Sequence, residues 1–355
     1  MYACNQMIVK FFDGTSQSEI DEIHQRMNCT VIDENQELGF QVIQFKAKVK
    51  DMMSSYQKLT VVEYVEPNYI YKASFIPNDV YFPYQYGPQK VQAPSAWDVS
   101  QSNPTIKIAI VDTGVQLNHP DLVGKLLPGY DFVEKDNNPT DGNGHGTHVA
   151  GIAAAVTNNI QGVAGMAPLA SILPIRVLDN NGSGLLSDVA NGIIFAANQG
   201  ARVMNLSLGS PQGATTLQSA IDYAWNRGVV IVAAAGNSNT NVPFYPANYN
   251  NVIAVASTDS NDQKSSFSNF GTWIEVAAPG STILSTYIGS SYAYFSGTSM
   301  ASPHVAGIAA LLAAQGKNNL QIRNTILVSS DRISGTGVYW AYGRVNANRA
   351  VRSWT

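Results

Sequence analysis

Cysteine is nearly absent from this 355-residue chain: Cys4 and Cys29 are the only two. A disulfide framework and a cysteine-based metal site are therefore excluded as organising features. Charge is scarce as well. Asp, Glu, Lys and Arg make up 13% of residues, about half the usual share. Lys and Arg number 21 against 25 Asp and Glu, a net charge of −4, so there is no basic footprint for nucleic acid. No apolar run approaches the roughly 18 residues that span a bilayer. Residues 1–10 hold no basic segment followed by an apolar core, so they do not read as a signal peptide. An HExxH zinc motif is also missing. What the chain does have is 45% hydrophobic residues and 29 glycines. That is a globular, turn-rich composition, at a length that suits one large domain and one small one.

Residues 1–74 differ from the rest. They hold six of the eight glutamates and only two of the 29 glycines. Residues 7–12 read as a strand. Ser16 with Glu19 forms a capping box, after which Ile20, Ile23 and Met27 share one helical face. Residues 39–45 alternate as a strand does, 49–56 form a second helix and 61–65 a further strand. The order β-α-β-β-α-β is that of a small α+β, ferredoxin-like domain. An extended polar-aromatic tail, residues 66–74, ends it.

From Phe75 an irregular arm leads to an apolar strand at 106–111, which stops at Asp112-Thr113-Gly114. Further apolar strands are expected at 170–177, 203–208, 229–234 and 252–256, with helical patterns at 145–156, 187–199 and 217–227 between them. Residues 334–340 read as a last hairpin. Strands alternating with helices predict an α/β fold in three layers, a doubly wound, mostly parallel sheet covered on both faces. Sites in such sheets lie beyond the carboxyl ends of the strands. The expected division is 1–74 and 75–355.

One stretch organises the second region: Gly297-Thr298-Ser299-Met300-Ala301-Ser302-Pro303-His304-Val305-Ala306-Gly307. It reads as a helix start with small residues at its mouth. Ser299 there sits beside N–H groups that have no intrahelical partner, in the favourable field of a helix N-terminus. That suits a nucleophile whose attack creates an oxyanion; an ordinary capping serine is the other reading. Asp112 ends the first apolar strand, where a carboxylate can be aimed. His145 lies between glycines at the start of a helix in Asn143-Gly144-His145-Gly146-Thr147-His148-Val149-Ala150-Gly151. Alone, each of these is also a plain turn or cap residue. His148 and His304 read as structural.

Together the motifs DTG, HGTHVAG and GTSMASPHVAG stand in the order Asp, His, Ser. The combination resembles the subtilisin-like serine peptidases, the subtilases, over residues 75–355. Within that family the arm FIPNDVYFPYQYGPQKVQAPSAW and the ending SGTGVYWAYGRVNA look most like the thermitase branch. The resemblance implies that Ser299 attacks the scissile carbonyl, His145 moves the proton and Asp112 holds the imidazole. It makes Asn237, after the strand at 229–234, the side-chain donor to the oxyanion. It also implies that Gly182-Ser183-Gly184 and Ser207-Leu208-Gly209 sandwich an extended substrate as an added strand. The primary pocket would be walled by Ser207, Leu208 and Gly209 with Ala234, Ala235 and Gly236, leaving room for a large apolar or aromatic side chain. The first domain resembles the family's propeptide, an intramolecular chaperone and inhibitor. Cleavage near Ser74-Phe75 would leave Tyr71-Lys72-Ala73-Ser74 in the cleft as a product.

The same resemblance implies structural calcium. A tight site would use Asp79, Asp121 and Asn159 with the carbonyls of Val156, Gln161 and Val163. A second would use Asp131, Glu134 and Asp136, with Glu134 standing where aspartate is usual. A third would use Glu275 with the carbonyls of Ala247, Tyr249 and Val252. The expected protein is a secreted, monomeric serine endopeptidase of broad specificity, made as a zymogen. It would act on protein and peptide substrates, with its propeptide as inhibitor and with no nucleic-acid or membrane partner. Two other classes compete: a non-catalytic binding protein on the same scaffold, and an α/β-hydrolase esterase. The intact Asp112, His145, Asn237 and Ser299 disfavour the first. The missing G-x-S-x-G elbow and the order of the three residues disfavour the second.

Overall fold

The structure, a computed structural model, describes residues 2–71 and 75–353. Lys72, Ala73 and Ser74, where processing is expected, lie outside the described residues. The chain divides into two compact units, Met1–Ala73 and Ser74–Thr355.

The first unit runs β1 (Tyr2–Phe11), α1 (Gln17–Arg26), β2 (Thr30–Asn35), β3 (Phe40–Gln44), α2 (Val49–Tyr56) and β4 (Val62–Tyr69). Its antiparallel sheet has the order β2-β3-β1-β4. Ser16 caps α1 by accepting the Glu19 N–H at 3.3 Å. Alternate β1 residues Met7, Val9 and Phe11 point into the core with Ile43, Phe45 and Tyr56. Strand β2 carries no apolar alternation, because nearly all of it is exposed.

The second unit opens with the short helices α3 (Tyr86–Lys90) and α4 (Ala93–Trp97). Then come β5 (Lys107–Asp112), β6 (Tyr130–Asp131), α5 (His145–Ala154), β7 (Ser171–Arg176), α6 (Leu186–Asn198), β8 (Val203–Leu206), α7 (Thr215–Asn226) and β9 (Val230–Ala234). The rest is β10 (Val252–Thr258), β11 (Val276–Pro279), β12 (Ile283–Tyr287), β13 (Ser291–Phe295), α8 (Thr298–Ala313), α9 (Asn319–Ser329), β14 (Gly343–Arg344) and α10 (Ala347–Arg352). Eight strands form one sheet in the order β14-β11-β10-β9-β8-β5-β7-β6, every neighbouring pair parallel.

Burial on both faces explains why these strands are apolar throughout. In β5, Ile108 and Ile110 join the cluster that includes α5 and α8, while Ala109 and Val111 join the cluster beneath α6 and α7. β9 splits the same way, Val230 and Val232 against Ile231 and Ala233. The chain reverses its direction of travel across the sheet at β5, flanked by β7 and β8. The carboxyl ends beside that point are where an open α/β sheet places its site. Helix α8 packs close to α5 and to the loop after it because Gly307 has no side chain: a Cβ there would lie 3.1 Å from the Ala153 carbonyl oxygen and 2.3 Å from Met166 Cβ. The expected hairpin at 334–340 is not formed. That segment is turns joined by one bridge, Thr336 to Trp340, and Gly343–Arg344 adds to the sheet edge instead. Strands β11, β12 and β13 have no counterpart in the expected elements: each is only four or five residues long, and β12 and β13 pair as an antiparallel ribbon outside the main sheet.

Candidate active site

Strand β5 delivers Asp112 as its last residue, fully buried. Its Oδ1 accepts the N–H of Thr113 at 2.8 Å and Nδ1–H of His145 at 2.6 Å. Because a carboxylate only accepts, Nδ1 is the donor and Nε2 is left as the basic nitrogen. His145 is the first residue of α5, with its side chain about a quarter exposed. Burial alone would push the imidazole down. The charge of Asp112, its hydrogen bond and the charge of Asp141 outweigh that and hold His145 above its ordinary value. Gly146 lets β5 approach: a Cβ there would stand 2.1 Å from the Gly114 carbonyl oxygen. The other two motif histidines have different tasks. His148 Nε2 pairs with the Ala293 carbonyl at 2.9 Å and stacks on Phe295; His304 Nδ1 pairs with the Met300 carbonyl at 2.8 Å. Burial holds both near pKa 4.

Ser299 is the second residue of α8 and partly exposed. Its hydroxyl donates to the Ser207 carbonyl at 3.2 Å. Proton transfer to His145 requires the hydroxyl to turn, as such contacts tighten only with substrate bound. The N–H and the hydroxyl of Thr298 both donate to Asn237 Oδ1, at 2.8 and 2.9 Å. Two donors fix that end of the amide as oxygen, so its NH2 points the other way. Among the described residues the N–H of Ser299 has no acceptor. Two donors are thus free at this helix mouth, suited to a developing oxyanion. Pro303 lies inside α8 and cannot donate to the Ser299 carbonyl. The hydroxyl of Ser207 does so instead, at 2.8 Å, and accepts from Asn205 Nδ2 at 2.8 Å; Asn205 Oδ1 accepts from Ser302 at 2.7 Å.

A cleft of about 780 Å³ opens beside His145. Gly182, Ser183 and Gly184 border it, as do Ser207, Leu208 and Gly209, so the structure brings these two segments together. Ala234, Ala235 and Gly236, expected as walls of the primary pocket, are buried and do not line this cleft; the Gly236 N–H donates to Thr298 Oγ1 at 3.0 Å. Apolar lining comes also from Leu178, Leu186, Val189, Leu217 and Tyr245. Sequence reasoning missed these; the only signal was Leu186 and Val189 three apart at a helix start.

The proposed calcium ligands separate into unlike groups. Asp79 and Asp121 are buried and close enough that each charge acts on the other's neighbourhood. Neither has an ion-pair partner among the described residues. Asp79 Oδ1 is buried and unpartnered, and burial raises Asp121 to about 6. Asn159 Nδ2 and the Val163 N–H donate to Asp121 at 2.8 Å each, and the Asn158 N–H to Asp79 at 2.8 Å. Two buried carboxylates beside a side-chain amide are hard oxygen donors of the kind calcium takes. Val156 donates its N–H to the Asp121 carbonyl at 2.7 Å, and Gln161 its N–H to Asn159 Oδ1 at 3.0 Å, which keeps the loop against Asp121. The second group already faces a cation. Asp131 pairs with Arg176 at 2.5 Å, with Glu134 3.8 Å from the same guanidinium, while Asp136 is exposed. In the third, Ala247 and Tyr249 line one polar cleft with Glu275, but both oxygens of Glu275 are taken, by Arg323 and by the Ala254 N–H, each at 2.7 Å, and Val252 is in β10. No cluster of three or more His, Cys, Asp or Glu able to hold a metal occurs among the described residues.

Comparison with known proteins adds the following. The Subtilase family matches residues 103–344, and the fervidolysin N-terminal prodomain family matches residues 1–68. A thermophilic serine proteinase of Bacillus sp. (strain AK1) is 51% identical over 99% of this chain and 88% of its own length. Thermitase of Thermoactinomyces vulgaris is 63% identical over 78% of this chain and all of its own. Among solved structures, a protease from Pseudoalteromonas arctica superposes with a TM-score of 0.72 at 36% identity, covering 78% of this chain and 98% of that one.

Proposed function

The chain belongs to the subtilase family of serine endopeptidases and carries an N-terminal prodomain, and on that premise we propose that it is a broad-specificity endopeptidase made as a self-processing zymogen. Asp112, His145 and Ser299 form its triad. Ser299 Oγ attacks the carbonyl carbon while His145 Nε2 takes the hydroxyl proton, giving a tetrahedral oxyanion held by the Ser299 N–H and Asn237 Nδ2. The imidazolium is stabilised by Asp112 and then protonates the leaving amine. Water repeats the sequence on the acyl-enzyme. The observation that carries this reading is the 2.6 Å bond from His145 to the buried Asp112, with His145 lining a cleft beside Ser207, whose carbonyl accepts the Ser299 hydroxyl.

The substrate lies extended between residues 182–184 and 207–209, and the apolar cleft walls favour large apolar or aromatic side chains. Maturation removes the prodomain near Ser74-Phe75. Calcium at Asp79 and Asp121 neutralises two buried charges and pins the arm to the loop at 156–163. Secretion goes with this role; no helix among the described residues is long and apolar enough to cross a membrane. A peptide p-nitroanilide and casein, given to the wild type and to Ser299→Ala, test the reading: equal rates would remove it. N-terminal sequencing of active enzyme should begin within a few residues of Phe75. Chelation should lower the melting temperature, by about 3 kcal/mol of stability where calcium had stood at a hundred times its Kd; an unchanged melting point would remove the calcium proposal.

A further inference from the structure

A second buried carboxylate stands just before α5. Asp141 is 6% exposed and accepts five hydrogen bonds. Its Oδ1 takes the hydroxyl of Thr113 at 2.9 Å and the N–H groups of Asn143 at 2.9 Å and Gly144 at 2.8 Å. Its Oδ2 takes the N–H of Thr147 at 2.9 Å and its hydroxyl at 2.6 Å. All five partners are donors, so the group serves only as an acceptor, the behaviour of a carboxylate. Both hydroxyls pass the link on. Thr113 Oγ1 accepts the Gly146 N–H at 2.9 Å, and Thr147 Oγ1 accepts the Gln116 N–H at 3.0 Å. Thr113 is also the residue whose N–H binds Asp112. One side chain therefore ties the residue after the acid to residues on both sides of the base.

We infer that Asp141 is a positioning residue for the Asp112–His145 pair, clamping the end of β5 to the start of α5 and setting a negative charge beside the imidazole. The inference rests on the peptidase reading above. Asparagine could not replace it. Its one oxygen serves three donors at one end or two at the other, and the NH2 would then face donors. The charge acts on His145 in the same direction as that of Asp112. The titratable groups facing His145 are Asp112 from β5, Asp141 from the turn and His148 one turn along α5, which burial keeps neutral down to about pH 4. Removing the Asp141 charge thus makes the ring easier to deprotonate, and activity should persist to lower pH.

The test uses the full chain, matured, with active sites counted by a serine-directed phosphonate. kcat and KM for a peptide p-nitroanilide are followed between about pH 5 and 9. In Asp141→Asn, kcat should fall roughly 10- to 100-fold with KM within about twofold, the mark of lost geometry at the reacting atoms. The acid limb should move down by roughly half a pH unit. Thr113→Val keeps the charge but cuts the tie to β5, so kcat should fall roughly threefold or more with the acid limb unmoved. Wild-type kcat in Asp141→Asn, or a lower kcat with an unshifted acid limb, would overturn the inference and leave Asp141 an ordinary helix cap. If Asp141→Asn does not mature, wild-type kcat in Thr113→Val overturns it. A Ser299→Ala control as active as wild type would instead sink the peptidase reading.

Discussion

At the start of α5 the N–H groups of Gly144, His145, Gly146 and Thr147 each meet a side-chain acceptor, from Asp141, Asn143, Thr113 and Asp141 again. At the start of α8, Asn237 accepts from Thr298, and the N–H of Ser299 meets nothing among the described residues. Both helices begin after a glycine that gives no side-chain cap of its own. The difference follows the charge each mouth must handle. On the proposed mechanism α5 carries a base that becomes a cation, so its positive helix end is covered by acceptors and a carboxylate. On the same proposal α8 carries a nucleophile that generates an anion, so its donors are left free for a charge that appears only during reaction.

Breaking the open mouth should cost most. Ser299→Ala should lower kcat by roughly six orders of magnitude, the loss known for the subtilisin nucleophile. Removing one free donor with Asn237→Ala should cost about 10²- to 10³-fold in kcat, again the value for subtilisin itself, with little change in KM. A loss confined to KM would mean that Asn237 binds the ground state and that the mouth is not an oxyanion site. At the closed mouth the matching effect is in pH. His145 is held above 6.5, and the reaction needs it neutral. Activity should therefore be full above the raised pKa and fall about tenfold per unit below it. An acid limb well under 6.5 would show that the neighbouring carboxylates do not act on the ring as their placement requires.

The side chains proposed as reactive stood out because each sits in an unbroken motif at an element boundary: Asp112 at the end of an apolar strand, His145 and Ser299 at helix starts. The central strands were legible because burial on both faces leaves them apolar. Asp141 was not. In Asp141-Gly142-Asn143-Gly144 it reads as a turn residue, and the donor that ties it to the end of β5, Thr113, lies 28 residues away in the chain. Arg176 was likewise invisible beside Asp131. The two are 45 residues apart and meet only because β6 and β7 pair with those residues in register. Strand β2 stood in the expected order without bounds because its side chains are exposed and show no apolar alternation, so pairing rather than burial defines it.

The smallest expected effect concerns what holds the open mouth in place. Pro303 cannot supply the helical hydrogen bond to the Ser299 carbonyl, and Ser207 supplies it from the strand side. If that hydroxyl substitutes for a missing helical N–H, Ser207→Ala should lose about 1–3 kcal/mol of stability, since it strands a buried acceptor. Adding Pro303→Ala restores the N–H, so the Ser207 penalty should shrink in that background. It should not vanish, because Asn205 Nδ2 still loses its acceptor. The four proteins of this double-mutant cycle are best compared by denaturant unfolding in a Ser299→Ala background, which stops self-digestion and leaves the backbone carbonyl intact. Equal penalties with and without Pro303 would show that the nucleophile's carbonyl does not depend on Ser207. The open mouth would then be held by Asn237 and Thr298 alone.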